Sequence, residues 1–433
     1  MGLLIKGGHL IDPANGVDGK KDLYVDDKGF VAGVGTAPSG FKAGKTIDAG
    51  GRIICPGLVD LRARLREPGL EYKATIESEV HAAVAAGITT LCCPPDTHPV
   101  IDTPAMAQMI QSRAWRFGLA FIHPLGALTQ NLEGKRLADM EALDEAGCVG
   151  VTNGLVPVTD TLVMRRAMEY AATLDLTVFL HAEDPWLRNH GCVHEGEVGT
   201  RLGLPGIPEA AETVGVARDL ALIEQTGCRA HFCNLSSRRA VTMIAEAQRQ
   251  GLPVSADVTA HHLHLTEHDI GDFNTQCHVR PPLRSKQDRQ GLRQALKRGV
   301  IGAVCSDHQP HEPDAKLAPF AQSEPGMSAL ETLLPLTLRL VDENLLTLSE
   351  AIALLTHKPA QIIGADAGHL GVGATADVCI FDPNAHWVLA GDALISRGRN
   401  TPFLGWEFRG RVMHTLIGGR VVYGHRPEAA SRR

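Results

Sequence analysis

Between residues 53 and 341, short apolar runs alternate with longer segments whose apolar positions recur at three- and four-residue spacing. The short runs read as strands and the longer segments as amphipathic helices. In order, the pairs are 53–61 with 78–86, 88–93 with 104–117, 119–123 with 135–146, and 148–151 with 160–174. They continue as 176–180 with 210–225, 228–232 with 237–250, 252–258 with 290–298, and 300–305 with 329–341. Eight such units predict an α/β chain folded as a (β/α)8 TIM barrel. An open doubly wound sheet is the rival arrangement, but no G-x-G-x-x-G at the first strand-to-helix turn favours it.

The two ends follow a different pattern. Short strands separated by Gly and Asp turns are expected at 3–5, 23–25 and 31–33, and again at 377–381, 412–417 and 421–423. Neither end has much core of its own, so the two are expected to pair as one composite β-sandwich. The predicted organisation is therefore 1–51 and 366–433 in the sandwich and 52–365 in the barrel. The tail 429–433 is expected to fray.

Composition narrows the function classes. With 44% apolar residues and a formal charge of -7, the 433-residue chain predicts a packed soluble core and argues against a nucleic-acid surface. It has no apolar stretch of about 18 residues, so no transmembrane helix is expected. The N-terminus lacks the basic and apolar regions of a secretory signal, and a cytoplasmic location is expected. The ten cysteines form no C-x-x-C pair, and Cys92, Cys93, Cys233 and Cys305 lie inside strand-like runs. Buried free thiols in a reducing compartment are expected, not a zinc-thiolate site.

Barrels of this kind carry their chemistry at the C-terminal ends of the strands. Polar residues gather there: Asp60, Arg62, Arg64 and Arg66 after the first strand, and Asn153 after the fourth. His181 and Glu183 follow the fifth, His231 lies on the sixth, and His261 and His262 follow the seventh. Asp307, His308 and His311 follow the eighth. One buried His is ordinarily a satisfied core group, but convergence on a single mouth points to a site.

Specific motifs run through these positions. Pro56-Gly57-Leu58-Val59-Asp60 precedes Leu65-Arg66-Glu67-Pro68-Gly69. Pro281-Pro282-Leu283-Arg284, Asp307-His308-Gln309-Pro310-His311, Gly373-Ala374-Thr375-Ala376-Asp377 and Asn400-Thr401-Pro402-Phe403 follow. Together they resemble the dihydroorotase family of the amidohydrolase superfamily over nearly the whole chain. Hydantoinases and allantoinases share the fold, and the Leu-Arg-Glu-Pro-Gly run favours dihydroorotase. The resemblance implies reversible closure of N-carbamoyl-L-aspartate to dihydroorotate at one or two zinc ions, which activate water and polarise the amide carbonyl.

Residue by residue, that implication fails in part. The family's first ligands, a His-x-His after strand one, fall on Arg62 and Arg64, and its bridging carboxylate or carbamylated lysine falls on Asn153. His181 and His231 match the histidines of strands five and six. Asp307 matches the aspartate that serves as ligand and general base. Arg66 matches the arginine that clamps the substrate carboxylate, and His311 a further substrate contact. Two substrate-side asparagines fall on Asp96 and Arg280.

Residues two apart on a strand face the same way, so Arg62 and Arg64 should both reach the mouth. A guanidinium has no lone pair to donate and keeps its charge. No two-metal centre is expected. Ion pairs filling the emptied site are expected instead, Arg66 with Asp96 and Asp307 with Arg62 or Arg64. A single zinc on His181 and His231, completed by Asn153 or Asp307 and water, is the alternative. His261 and His262 are expected to pack rather than ligate.

The resemblance then implies a non-catalytic dihydroorotase homologue, without a cofactor, serving as a structural or regulatory subunit. Its expected partner is aspartate transcarbamoylase, some bacterial forms of which assemble with dihydroorotase-like chains that lack metal ligands. A homo-oligomer is also expected. The rival readings are a cyclic-amide hydrolase using one metal or none, and a small-molecule binding module around Arg66, Arg280 and His311.

Overall fold

At Pro56-Gly57 the chain passes from one sheet into another. In the computed structural model, which describes residues 1–425, Ile53–Pro56 pairs with Val378–Val388 and with His9–Asp12. Leu58–Asp60 instead pairs with Ile88–Cys93 as the first barrel strand. A Cβ at position 57 would come within 2.1 Å of Thr89 Oγ1, so only glycine lets the two sheets approach so closely at this step. The single strand expected at 53–61 is therefore two strands with different partners.

The other barrel strands are Phe121–Pro124, Val151–Thr152, Val178–Leu180, Ala230–Phe232, Val254–Thr259 and Ala303–Cys305. All neighbouring pairs recorded among them are parallel. Gly126 N donates to Gly150 O at 2.9 Å between the third and fourth strands. A parallel bridge between Ala63 and His308 links the ends of the first and eighth. Val59, Leu61, Cys92, Leu125, Phe179, Cys233, Ala303 and Cys305 form the inner core. Polar residues of the same strands, among them Asp60, His231 and Asp257, are buried as well.

Helix boundaries follow capping chemistry. Ile76–Ala85 starts at a reciprocal Thr75–Ser78 capping box, and Pro104–Phe117 starts on its proline and stops at Gly118 in the left-handed region. The helix expected at 135–146 shortens to Met140–Glu145, because the Asp139 carboxylate accepts from Ala142 N and sets a later start. After the fifth strand the chain inserts the short helices Pro185–Arg188 and Glu197–Leu202 and a small parallel ladder before the helix Glu209–Thr226. Helical periodicity cannot register elements that short.

Strands from both chain ends form a four-stranded and a six-stranded sheet. Their shared core includes Ile5, Leu10, Leu23, Val25, Ile54, Val378, Ile380 and Leu416. The expected frayed tail at 429–433 lies outside the described residues. All ten cysteines are buried and free. Among the described residues no helix is long and apolar enough to cross a membrane.

Candidate active site

Arg62 and Arg64 both turn into the barrel mouth, each 3% exposed. Arg62 Nε lies 3.1 Å from Asp307 Oδ1, and Arg64 Nη1 donates to the same oxygen at 3.2 Å. Gln309 Nε2 donates to Asp307 Oδ2 at 2.9 Å. The carboxylate that the resemblance makes a ligand and base is thus held between two guanidiniums and an amide. Burial alone would lower the pKa of Arg62, but Asp307, with smaller help from Cys233, Asp96 and Asp257, raises it above the ordinary value.

Asp96 does not pair with Arg66. Arg64 Nε donates to Asp96 Oδ2 at 2.7 Å, so Arg64 bridges both carboxylates. Burial raises the Asp96 carboxyl, yet Arg64, Arg66 and Arg62 together hold it below its usual range. Arg66 takes a positive φ of 63° and turns aside. Its Nε donates to Pro310 O at 2.9 Å and its Nη2 sits 3.2 Å from His311 Nε2. The expected Arg66–Asp96 pair is replaced because the backbone at 66 points that side chain toward the loop after strand eight. Burial and the neighbouring Arg64 lower the Arg66 pKa to about 10. His311 falls to about 2, through burial and the charges of Arg66, Lys73 and Lys316, and is a neutral imidazole.

Asn153 is fully engaged in hydrogen bonds. Its Oδ1 accepts from Thr129 Oγ1 at 2.7 Å, and its Nδ2 donates to Leu132 O at 3.1 Å and Val156 O at 2.8 Å. An aspartate cannot donate to those two carbonyls and would face them with like charge. Asn153→Asp, which places a carboxylate where the resemblance implies a bridging one, is expected to destabilise the fold by about 2–4 kcal/mol. Urea unfolding midpoints of the two proteins measure this; an unchanged midpoint would contradict the assignment.

His231 has no free nitrogen. Nδ1 is 2.8 Å from Ser255 Oγ and Nε2 is 2.9 Å from Asp257 Oδ2. His181 is different: its side chain is 4% exposed, its Nε2 has no hydrogen-bond partner, and Glu183 Oε2 is 3.5 Å away. Burial lowers its pKa, against the opposing pull of Glu183. His181 lines a narrow cleft with Glu183, Asn234, Pro281 and Arg284. The buried rings of His261 and His262 lie tilted against each other with centroids 4.7 Å apart, and His262 bonds Thr259 and Pro282.

Arg280 is neutralised by a residue whose role the sequence did not disclose. Glu183 receives a two-pronged contact from Arg280, with Nη2–Oε1 at 2.5 Å and Nε–Oε2 at 3.1 Å, and Arg188 Nε lies 3.0 Å from it. Burial pushes the Glu183 carboxyl up, but His181 and Arg280 bring it down to about 2. The available signal was its position two residues after His181, which fits a shared side of the chain. The Glu79–His308 pair, at 2.7 Å and fully buried, was also missed, since its partners are 229 positions apart.

These residues do not fit a catalytic zinc ion. Such a site needs three protein ligands and an open position. Of the matched positions, His181 alone presents an uncommitted lone pair. Among the described residues one cluster has metal-ligand types, His231, Cys233 and Asp257. Its His–Asp edge is already a hydrogen bond, and the Arg62 guanidinium beside Cys233 opposes a cation. What the mouth offers is a charge-compensated network beside a half-buried arginine, Arg66, that lacks an ion-pair partner among the described residues.

Residues 51–240 match the dihydro-orotase-like family model, and 327–423 match an amidohydrolase family model. A dihydroorotase-like protein of Pseudomonas putida is 50% identical over 98% of this chain and all of its own length. The corresponding protein of Pseudomonas aeruginosa is 48% identical with the same coverage, and a dihydroorotase of Syntrophotalea carbinolica is 43% identical over 98% of this chain and 99% of its own. Among solved structures, the L-hydantoinase (dihydropyrimidinase) of Arthrobacter aurescens superposes with a TM-score of 0.87 at 24% identity, covering 98% of this chain and 96% of that one. This last likeness establishes the amidohydrolase barrel fold.

Proposed function

The chain belongs to the dihydroorotase-like family, and from that premise we propose that it is a non-catalytic member serving as a structural or regulatory subunit. The observation that carries this reading is the Arg62–Asp307–Arg64 clamp. It fills the space of the family's first two ligands with fixed positive charge and occupies the general base.

Three further features support it. Asn153 spends its amide on local backbone carbonyls and a threonine. His231 spends both nitrogens on Ser255 and Asp257. Arg280 is held by Glu183 instead of facing a substrate. A family member without catalytic metal keeps a large folded surface, and holding another chain is a role that needs only that surface.

The partner that the family context implies is aspartate transcarbamoylase. Co-expression of this chain with the transcarbamoylase of its own organism is expected to give one large complex by size-exclusion chromatography with light scattering. Two chains that elute separately at micromolar concentration would remove the proposed partner. A second reading, ligand binding without turnover, rests on Arg66, a half-buried cation without an ion-pair partner among the described residues, beside the neutral His311. Calorimetric titration with dihydroorotate tests it: measurable heat that Arg66→Ala abolishes would support this reading, and none would end it.

A further inference from the structure

The opposite end of the barrel holds a cleft of about 480 Å3 that the chemistry of the mouth does not use. It lies where the strands begin. Thr177 precedes the fifth strand, Arg229 the sixth and Gly302 the eighth, and Val254, Ser255 and Ala256 open the seventh. Lys358 and Gln361 close one side from the helix His357–Ile362. The volume is within the range of small-molecule sites, roughly 300–1,000 Å3, and the mixture of apolar wall and few polar groups is also typical of them.

The polar groups have definite orientations. Gln248 Nε2 donates to Val300 O at 3.0 Å and Val254 O at 3.4 Å, which fixes the amide and leaves Oε1 without a protein donor among the described residues. Lys358 has no carboxylate within ion-pair distance among the described residues. Arg229 is held by Asp175 at the rim, 3.0 Å away. The cleft therefore offers an unpaired ammonium, an oriented carbonyl oxygen and the hydroxyls of Thr177 and Ser255, against Leu252, Val300 and Ile362.

Ser255 also links the cleft to the barrel interior. Its Oγ is 2.8 Å from His231 Nδ1, His231 Nε2 is 2.9 Å from Asp257 Oδ2, and Asn234 N donates to Asp257 Oδ1 at 2.6 Å. Asn234 lines the narrow cleft at the mouth together with His181. A continuous chain of hydrogen bonds thus joins the two ends of the barrel.

We propose that this lower cleft binds a small organic acid that carries an N–H donor, with its carboxylate on Lys358 and Ser255 and its N–H on Gln248 Oε1. An ammonium and a hydroxyl together recognise a carboxylate by charge-assisted hydrogen bonding. The fixed amide oxygen adds selectivity for a ligand that can donate to it. Ser255 has a single hydroxyl proton, so donating it to the carboxylate withdraws the hydrogen bond it gives His231 Nδ1.

The test uses the full chain and N-acetyl-L-aspartate as probe, with succinate as the matched acid lacking an N–H. Isothermal calorimetry is expected to show the N-acetyl probe binding more tightly than succinate. Lys358→Ala should weaken it about tenfold, while Arg66→Ala at the mouth leaves it unchanged. In protein labelled with 15N-histidine, the His231 ring resonances should move on probe addition, and Ser255→Ala should abolish that movement. No binding of either acid at millimolar concentration would overturn the proposal. So would binding lost in Arg66→Ala and kept in Lys358→Ala, which would place the ligand at the mouth.

Discussion

Asp307→Ala is expected to lower the unfolding free energy by about 3–5 kcal/mol, the cost of stranding buried charge by removing its partner. Arg62 and Arg64 are each 3% exposed and both rest on the same Asp307 oxygen. Without it Arg62 loses its direct ion pair, and Arg64 keeps Asp96 alone. Denaturant unfolding followed by circular dichroism reads the change. The companion variant replaces Arg62, Arg64, Asp307 and Asp96, the second partner of Arg64, together with apolar residues of similar volume. It should recover most of the loss, because the penalty belongs to the unpaired charge and not to the absence of the pair. In a metal-dependent hydrolase the same alanine variant would chiefly cost activity. A loss below about 1 kcal/mol here would therefore argue that the clamp is not what holds the mouth together.

The second large effect is on activity and metal content. Purified protein incubated with zinc is expected to retain no stoichiometric metal by elemental mass spectrometry. It should give no dihydroorotate turnover above background, at least about 10⁶-fold below a working enzyme. The dihydroorotase of Syntrophotalea carbinolica, 43% identical to this chain, is the parallel assay. The reason is electrostatic as well as geometric. A unit charge pair at about 4 Å costs about 4 kcal/mol at an effective dielectric near 20, and about twice that against a divalent ion. Arg62 and Arg64 would impose that repulsion once a metal drew Asp307 from them, and neither offers the lone pair that His-x-His would donate. Without a bound metal no group at the mouth makes hydroxide at neutral pH. His181 is a lone imidazole, and Asp307 is already ion-paired with Arg62 and hydrogen-bonded by Arg64 and the Gln309 amide. About one zinc per chain together with turnover would overturn the non-catalytic reading and make His181 the centre of a reduced site.

The sequence alone determined the architecture, because the eight β/α units are long enough for their periodicities to be read. The helix at 104–117 was legible to the residue, its start fixed by Pro104 and its end by Gly118. The resemblance of the whole chain to dihydroorotases was likewise legible, since its motifs are contiguous. So were the residues at 62, 64 and 153, Arg, Arg and Asn, because identities at a strand end are read directly.

Pairing was decided by the tertiary structure. Local pattern cannot say that Asp96 belongs to Arg64 and not Arg66, since that turns on the positive φ at Arg66. Nor can it say that His231, matched to a ligand, faces Ser255 and Asp257 on the next strand, 24 and 26 positions away. Arg280 meets Glu183 across 97 positions, and His308 meets Glu79 across 229. Which side chains stand at the mouth was written in the sequence. How their charges compensate one another depends on distances and hydrogen-bond directions that arise only once the strands close around a common axis.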